Sequence, residues 1–499
     1  MVGFAGQVME VTTSTTGDWR VQLKPLEASF EGRALQVAGP NNRVILEDVL
    51  VGEVWLCGGQ SNMEWSLRAS RDADVEIPSA DSPAIRYLKM PHVARPEPQK
   101  NFLFDNPDNR HWRRCIPEEV EYCTAVGYYF VRRLQRRLKC PIGLIDASWG
   151  GTMAQHWCNK KSLLAVAEMK PYFDKFNEEM TAWNDGGGEE GAAKRYEVAV
   201  AEWEKKRAAA KAAGDREPRR PNRGPYENPA HKRQPAGMFN AMILPIAKFA
   251  LRGVLFYQGE NNSFTVGWKP FPETFPAIFK DWRAAFGDDK LPVGIIQIAG
   301  WSNRRSMTYD MNHHTNIVRE VQHLTWERTP HSGLIVTFDT NSNGSIHPGR
   351  KLPVGERSAR WALAEVYGAK AHNSNNPLEW RGPVYEAMKI DKDKIIITFK
   401  DGTDRSLRLD QDAALGFYIA GKDQEFHIAK ARIATDKNRK PHVVVWSDEV
   451  TEPVAVRYAW SNLPLGSLMN GRELPAYPFR TDAWPLVPHQ STGEYKVDR

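Results

Sequence analysis

Short apolar runs that alternate with longer amphipathic stretches, from about residue 50 to 370, restrict the fold of this chain more than any other feature. Residues 253–257, 293–299 and 334–338 are brief, continuous and rich in β-branched side chains, as strands buried on both faces are. Residues 118–139 place Cys123, Val126, Phe130, Leu134 and Leu138 at helical spacing, with arginines on the opposite face. Residues 271–286 do the same through Phe275, Ile278, Phe279 and Trp282. Pro141 ends the first helix, and residues 142–147 read as a further buried strand. This alternation predicts a three-layer α/β/α domain over 51–370, with a parallel sheet between helices.

The flanks read differently. Residues 1–50 hold short strand patterns at 8–12, 19–23, 34–37 and 44–46, a partial N-terminal β-domain too small to bury a face alone. Residues 160–235 interrupt the alternation with three glycines at 186–188, an Ala/Lys/Glu/Arg helix near 192–213 and a Pro/Arg-rich stretch to Pro235, which predicts a helical insertion. Residues 375–485 return to strands at 394–399, 416–419, 443–446 and 454–460, a C-terminal β-sandwich-like domain, and 486–499 is a tail.

Composition removes several function classes. A formal charge of +6 over 499 residues gives no grounds for a nucleic-acid partner. The basic cluster Lys205, Lys206, Arg207 and Lys211 is interleaved with glutamates and reads as a solvated helix face. Five cysteines (57, 115, 123, 140 and 158) without Cys-x-x-Cys spacing indicate neither a zinc site nor a disulfide scaffold, though one or two bridges stay open. No apolar run reaches the roughly 18 residues of a membrane span, and the opening Met-Val-Gly-Phe-Ala-Gly has neither part of a signal peptide. His313-His314 is a poor metal lead, because adjacent helical residues point about 100° apart and no His-Glu-x-x-His occurs.

The chemistry gathers around the stretch Val51-Gly-Glu-Val-Trp-Leu-Cys-Gly-Gly-Gln-Ser61-Asn-Met-Glu-Trp65. An apolar strand ends in Gly58 and Gly59, which permit a tight turn and close backbone approach. Ser61 then stands at the strand tip with its own N–H free. Such a serine reads either as a simple turn residue or as a nucleophile, and a nucleophile needs a base and an oxyanion site. Three later segments supply them. Ser148-Trp149-Gly150-Gly151-Thr152 leaves backbone N–H groups unobstructed at a strand-to-helix turn. Residues 253–262 end a strand in Gln258-Gly259-Glu260-Asn-Asn262, and the Asn262 amide is placed to donate to an oxyanion. Residues 334–347 run from a strand through Asp339 to a loop with His347-Pro348, before a helix over about 353–367. In open α/β sheets ligands collect outside the C-terminal strand ends, so all four segments are expected on one rim.

Serine, glycine, asparagine and histidine in this order resemble the SGNH hydrolase superfamily. The wording is closer still to its sialate O-acetylesterase branch, through the Val51–Trp65 stretch, Ala-Ser-Trp-Gly-Gly-Thr, Phe-Asn240-Ala-Met-Ile, Tyr-Gln-Gly-Glu-Asn-Asn, Ile-His-Pro and Pro-Val-Ala-Val-Arg-Tyr-Ala-Trp460. The resemblance runs from about residue 5 to 485. It implies a flavodoxin-like SGNH-hydrolase fold for 51–370 and a serine O-acetylesterase of glycans, with O-acetylated sialic acid foremost, that uses no metal or organic cofactor. Ser61 is then the nucleophile and His347 the general base. The N–H groups of Ser61 and of Gly150 or Gly151, with the Asn262 side chain, form the oxyanion hole. Gln60, Asn62, Trp65, Trp149, Gln258, Glu260 and Arg319 contact substrate, and Trp301 is a further pocket candidate.

The chain departs from the pattern in two places. Relatives commonly carry an acid before the histidine, as in Asp-Ile-His-Pro, whereas Gly344 and Ser345 stand here. Asp339, at a strand end, is the first candidate for the third member, and a Ser–His dyad oriented by a backbone carbonyl is its rival. The front of the chain also looks short of the usual signal peptide and full N-terminal β-domain, so periplasmic or secreted location rests on resemblance alone. Two other readings compete: an acetylesterase of xylan, pectin or another polysaccharide, and a catalytically impaired glycan-binding protein.

Overall fold

The computed structural model describes every residue except 104–110, 265, 302–313, 343, 410–414 and 487–499. Nearly all of the tail and the His313-His314 pair, whose second side chain is likewise left out, therefore lie outside the described residues.

The chain opens with β1 (Val2–Phe4), β2 (Gln7–Met9), β3 (Ser29–Ala38) and β4 (Arg43–Val51), an antiparallel sheet in the order β2-β1-β3-β4. The strand expected over 19–23 is absent; that segment is irregular. The central sheet has seven strands: β5 (Glu53–Gly59), β6 (Ser82–Lys89), β7 (Arg113–Cys115), β8 (Ile142–Ser148), β9 (Gly253–Tyr257), β10 (Val293–Ile296) and β11 (Ser332–Ile335). Their order is β11-β10-β9-β5-β8-β6-β7, parallel except for the edge strand β7. The order diverges on either side of β5, which makes its C-terminal end the topological switch point.

Neighbouring residues of β5 show why this is a three-layer domain. Cys57 faces the helix Ala125–Leu138, where a Cβ on Gly127 would lie 3.4 Å from the Cys57 sulfur. The next residue, Gly58, faces the helix Phe271–Phe286, where a Cβ would meet the Trp282 ring at 2.8 Å. Successive strand residues point to opposite faces, so the two helices cover opposite sides of the sheet. Thr124 caps the first helix by accepting the Gly127 N–H, which sets its start several residues later than the apolar spacing alone suggests. The helix Leu352–Trp361 packs beside it, and Trp361 fills the space left over Gly294 and Gly333.

Between β8 and β9 the chain forms an antiparallel pair of long helices, Lys170–Asp185 and Gly188–Ala213, then a short helix Pro229–Arg233. Arg207 on the second long helix is spent on Glu217 and the Trp203 ring. After the parallel sheet come β12 (Tyr385–Asp391), β13 (Lys394–Phe399), β14 (Phe417–Ala420), β15 (Phe426–Ile428), β16 (Lys430–Thr435), β17 (Pro441–Trp446), β18 (Ala455–Tyr458) and β19 (Phe479–Arg480). They form two antiparallel sheets, β12-β13-β17-β16 and β15-β14-β18-β19, and Tyr385 of the first stacks on Phe479 of the second. The loop after β18 returns to the parallel sheet. Asn462 accepts the Trp301 N–H through its carbonyl, and Pro464 accepts the Asn341 amide. All five cysteines are free and buried.

Candidate active site

Strand register brings the site together. Gly59 pairs with Ser148 on one side and Tyr257 on the other, so β5, β8 and β9 end at one level. Gly59 has φ +126°, and a Cβ there would lie 2.1 Å from the Tyr257 carbonyl oxygen. Only glycine fits a backbone turned this tightly between its neighbours. The turn delivers Ser61 to the start of a one-turn helix, Ser61–Glu64. Gly150 sits directly against it, with a built Cβ only 3.1 Å from that of Ser61.

His347 reaches the same point from the loop after β11, with Nε2 2.7 Å from the Ser61 hydroxyl. Trp65 stacks on the imidazole at 5.3 Å between centroids, 21° from parallel, and so fixes the ring plane. Burial lowers the His347 pKa from its usual value, and the nearby Lys351 charge lowers it further. The ring is therefore neutral, with Nε2 available as an acceptor, down to lower pH than a free histidine.

Several expectations need correction. Asp339 does not serve His347: both of its carboxylate oxygens accept from Arg357 at 2.6 Å. Among the described residues no carboxylate lies within ion-pair reach of His347. Asn262 is fully buried, and its amide is consumed internally: the oxygen accepts the Ala154 N–H, and the nitrogen donates to Gln155 and to the Gly267 carbonyl. Its half-exposed neighbour Asn261 is the one on the rim, donating to the Gly151 carbonyl at 2.8 Å. The Gly150 N–H is already committed to the Glu64 carboxylate at 2.7 Å. Among the described residues the N–H groups of Ser61 and Gly151 have no acceptor. Gln258 is buried and bound to Thr152, and Arg319 is buried under Ser461 and Asn316, its pKa lowered to about 9 by burial. Neither is placed to touch substrate. Trp149 is buried between the His92 and His231 rings, whereas Trp301 is half-buried against Phe264.

Beneath the pair lies a buried polar network. Gln60 and Asn62 each donate to one oxygen of Glu260. The Asn62 amide also donates to the Ile346 carbonyl at 3.1 Å, and its oxygen accepts from Lys351 Nζ at 2.5 Å. Gln60, Asn62 and Glu260 thus support the site from below and do not face a ligand. On the cleft wall, Glu64 is held by His92 at 3.2 Å and Lys89 at 3.8 Å. Burial pushes its pKa up, but the His92 contact, the Gly150 N–H and Lys89 outweigh this and bring it to about 2.

Sequence reasoning overlooked Lys351, Asn261, Glu64 and His92. Glu64 lies three residues after Ser61, hence on the same helical side. Asn261 lies one position from the residue chosen. Lys351 follows His347 by four residues. Nothing local marks His92, which arrives from the segment after β6.

A paired serine and histidine on the C-terminal rim of such a sheet mark a serine hydrolase on a three-layer α/β/α domain. A family model described as "Carbohydrate esterase, sialic acid-specific acetylesterase" matches residues 230–358. A carbohydrate acetylesterase from Xanthomonas citri, solved as a crystal structure, superposes with a TM-score of 0.75 at 30% identity over 97% of this chain and 92% of the other. The sialate O-acetylesterase of Pongo abelii is 26% identical over 485 residues, covering 92% of this chain and 80% of the relative. That of Mus musculus is 26% identical over 397 residues, 74% of this chain and 68% of the relative. The chain belongs to the sialate O-acetylesterase family of carbohydrate esterases.

Proposed function

We propose that this protein hydrolyses O-acetyl esters on glycans, O-acetylated sialic acid foremost, through an acetyl-enzyme on Ser61. The observation that carries the reading is the 2.7 Å contact between Ser61 Oγ and His347 Nε2. The Ser61 oxygen attacks the acetyl carbon while His347 takes its proton. The N–H groups of Ser61 and Gly151, with the Asn261 amide, hold the oxyanion. Collapse breaks the ester bond, and the sugar oxygen leaves with the proton from His347. Water, deprotonated by the same imidazole, then releases acetate and restores Ser61. The pair works as a dyad, with the ring plane kept by Trp65 stacking in place of a carboxylate. The same reading locates the protein in the periplasm or outside the cell, where acetylated glycans are met.

The test is acetate release from a panel that includes 9-O-acetyl sialic acid, acetylated xylan and acetylated pectin, with wild type and Ser61→Ala side by side. Turnover on the sialic acid should exceed that on the plant polysaccharides, and the variant should fall by at least about a thousandfold. Release confined to xylan or pectin would move the substrate assignment to polysaccharide. Full activity in Ser61→Ala would end the nucleophile assignment.

A further inference from the structure

Lys351 is placed against two physical rules at once. Its ammonium is buried, with the residue only 1% exposed, and no carboxylate among the described residues lies within ion-pair distance of it. It also occupies the N-cap of the helix Leu352–Trp361, the end whose partial positive charge repels a cation. Burial alone lowers its pKa to about 7, with Glu260 opposing the shift. Residues that break such rules collect at functional sites.

What Lys351 touches explains its retention. Its Nζ donates to Asn62, the residue after Ser61, and lies 5.7 Å from the Trp65 ring and 5.6 Å from that of Tyr257. Asn62 in turn holds the carbonyl of Ile346, the residue before His347. Both oxygens of Glu260 accept N–H groups, from Gln60 and Asn62; burial raises its carboxyl pKa, and these bonds and the Lys351 charge oppose that shift. The chain Lys351–Asn62–Glu260 therefore ties the serine segment to the histidine segment.

We propose that Lys351 is a positioning residue that locks Ser61 to His347 through Asn62 and sets a buried positive charge behind the imidazole. The inference rests on the Ser–His reading above. The other charged groups around the pair are Glu260, reached through Asn62; Glu64, held by His92 and Lys89; and Asp339, locked to Arg357. Of these, Glu260 opposes Lys351 most directly, because it is the charge that acts on it.

The experiment follows the rate at which a fluorophosphonate labels Ser61 as a function of pH, which needs no sugar substrate. Labelling forms the serine O–P bond, expels fluoride and passes the hydroxyl proton to His347, so its acid limb reports the imidazole. In Lys351→Met the limb should move to higher pH by about half a unit to one unit. In Lys351→Arg, which keeps both the charge and a donor for Asn62, it should stay at the wild-type pH. A purely structural role would lower both rates and leave both midpoints in place. Met removes a buried charge without leaving a large void, so folding is expected to survive; should it fail, Lys351→Gln, which removes the charge and keeps a donor for Asn62, carries the same upward shift. An unmoved midpoint in Lys351→Met, a shift of it to lower pH, or an equal shift in Lys351→Arg overturns the assignment of Lys351. A wild-type protein that resists labelling would instead overturn the Ser–His reading, and this one with it.

Discussion

At the scale of single residues, hydrogen-bond accounting decides which side chains remain free for chemistry. Asn261 and Asn262 are adjacent and chemically identical, yet one is half-exposed and donates to a single partner, the Gly151 carbonyl, and the other is buried with its amide spent on three internal partners. Asn261→Ala should therefore lose about a hundredfold or more in kcat with an unchanged melting temperature, as for a lost oxyanion donor. Asn262→Ala should instead lose about 1–3 kcal/mol of stability by leaving buried groups unpaired. Thermal melts beside acetate-release kinetics separate the two, and the reverse pattern would return the donor role to Asn262. Asp339 gives a matching contrast. A carboxylate that orients the histidine costs about four orders of magnitude in kcat when converted to the amide. Because Asp339 is held by Arg357, Asp339→Asn should keep kcat within about threefold and weaken the fold by losing that partly buried pair.

At the scale of elements, the short apolar runs became strands close to where periodicity puts them. The helix Phe271–Phe286 begins and ends where its apolar spacing does, because Phe275, Ile278, Phe279 and Trp282 must all reach the sheet. The N-terminal strands were less legible. The patterns at 8–12 and 19–23 gave way to β2 at Gln7–Met9 and to irregular chain, since a sheet this exposed is under weak register control. The long polar helix Gly188–Ala213 extends beyond its predicted start, supported by local pairs such as Lys194–Glu190. Ties between elements carry their own forecast. Arg480 at the end of β19 is buried with Glu320 on the helix His314–Arg328, at 2.9 and 3.0 Å. Glu320→Ala would take one of two carboxylate partners from the buried Arg480, which keeps Asp482 at 3.1 Å, and should cost about 1–3 kcal/mol, read as a lower denaturant midpoint. A loss below about 1 kcal/mol would mean that the C-terminal sheets do not depend on this tie.

At the scale of the whole molecule, acid should unfold the protein through a histidine far from any catalytic role. His156 is buried, with Nδ1 accepting the Met153 N–H and Nε2 donating to Tyr172, whose hydroxyl donates onward to the Arg233 carbonyl. A second ring proton would point at the Met153 N–H. Burial first, then the Arg233 and Lys232 charges, lower its pKa to about 3 from 6.5. The unfolded chain thus binds this proton in a range where the folded one does not. The stability His156 contributes is whole above about pH 6.5 and declines as pH falls towards 3, by on the order of 5 kcal/mol in total. His156→Asn keeps an acceptor for Met153 and should flatten the melting-temperature slope between pH 6.5 and 4. An unchanged slope would assign acid sensitivity to other groups.

The sequence by itself determined the alternation of strands and helices, the glycine turn that presents Ser61, and the family, because these depend on local period, backbone sterics and short exact wording. It also placed serine, glycines, asparagine and histidine at strand ends, where a parallel sheet must gather them. Only the tertiary structure decided which of these groups remain free to act. Asp339 is claimed by Arg357, Asn262 by the turn around Ala154 and Gly267, and the Gly150 N–H by Glu64. Each claimant is distant in sequence or hidden in a loop, and a hydrogen-bond donor has no local signature of whether it is already spent. Lys351 shows the same limit from the other side: a lysine reads as surface in any sequence, and only the closed packing of Trp65, Tyr257 and Asn62 makes it an interior charge beside the imidazole.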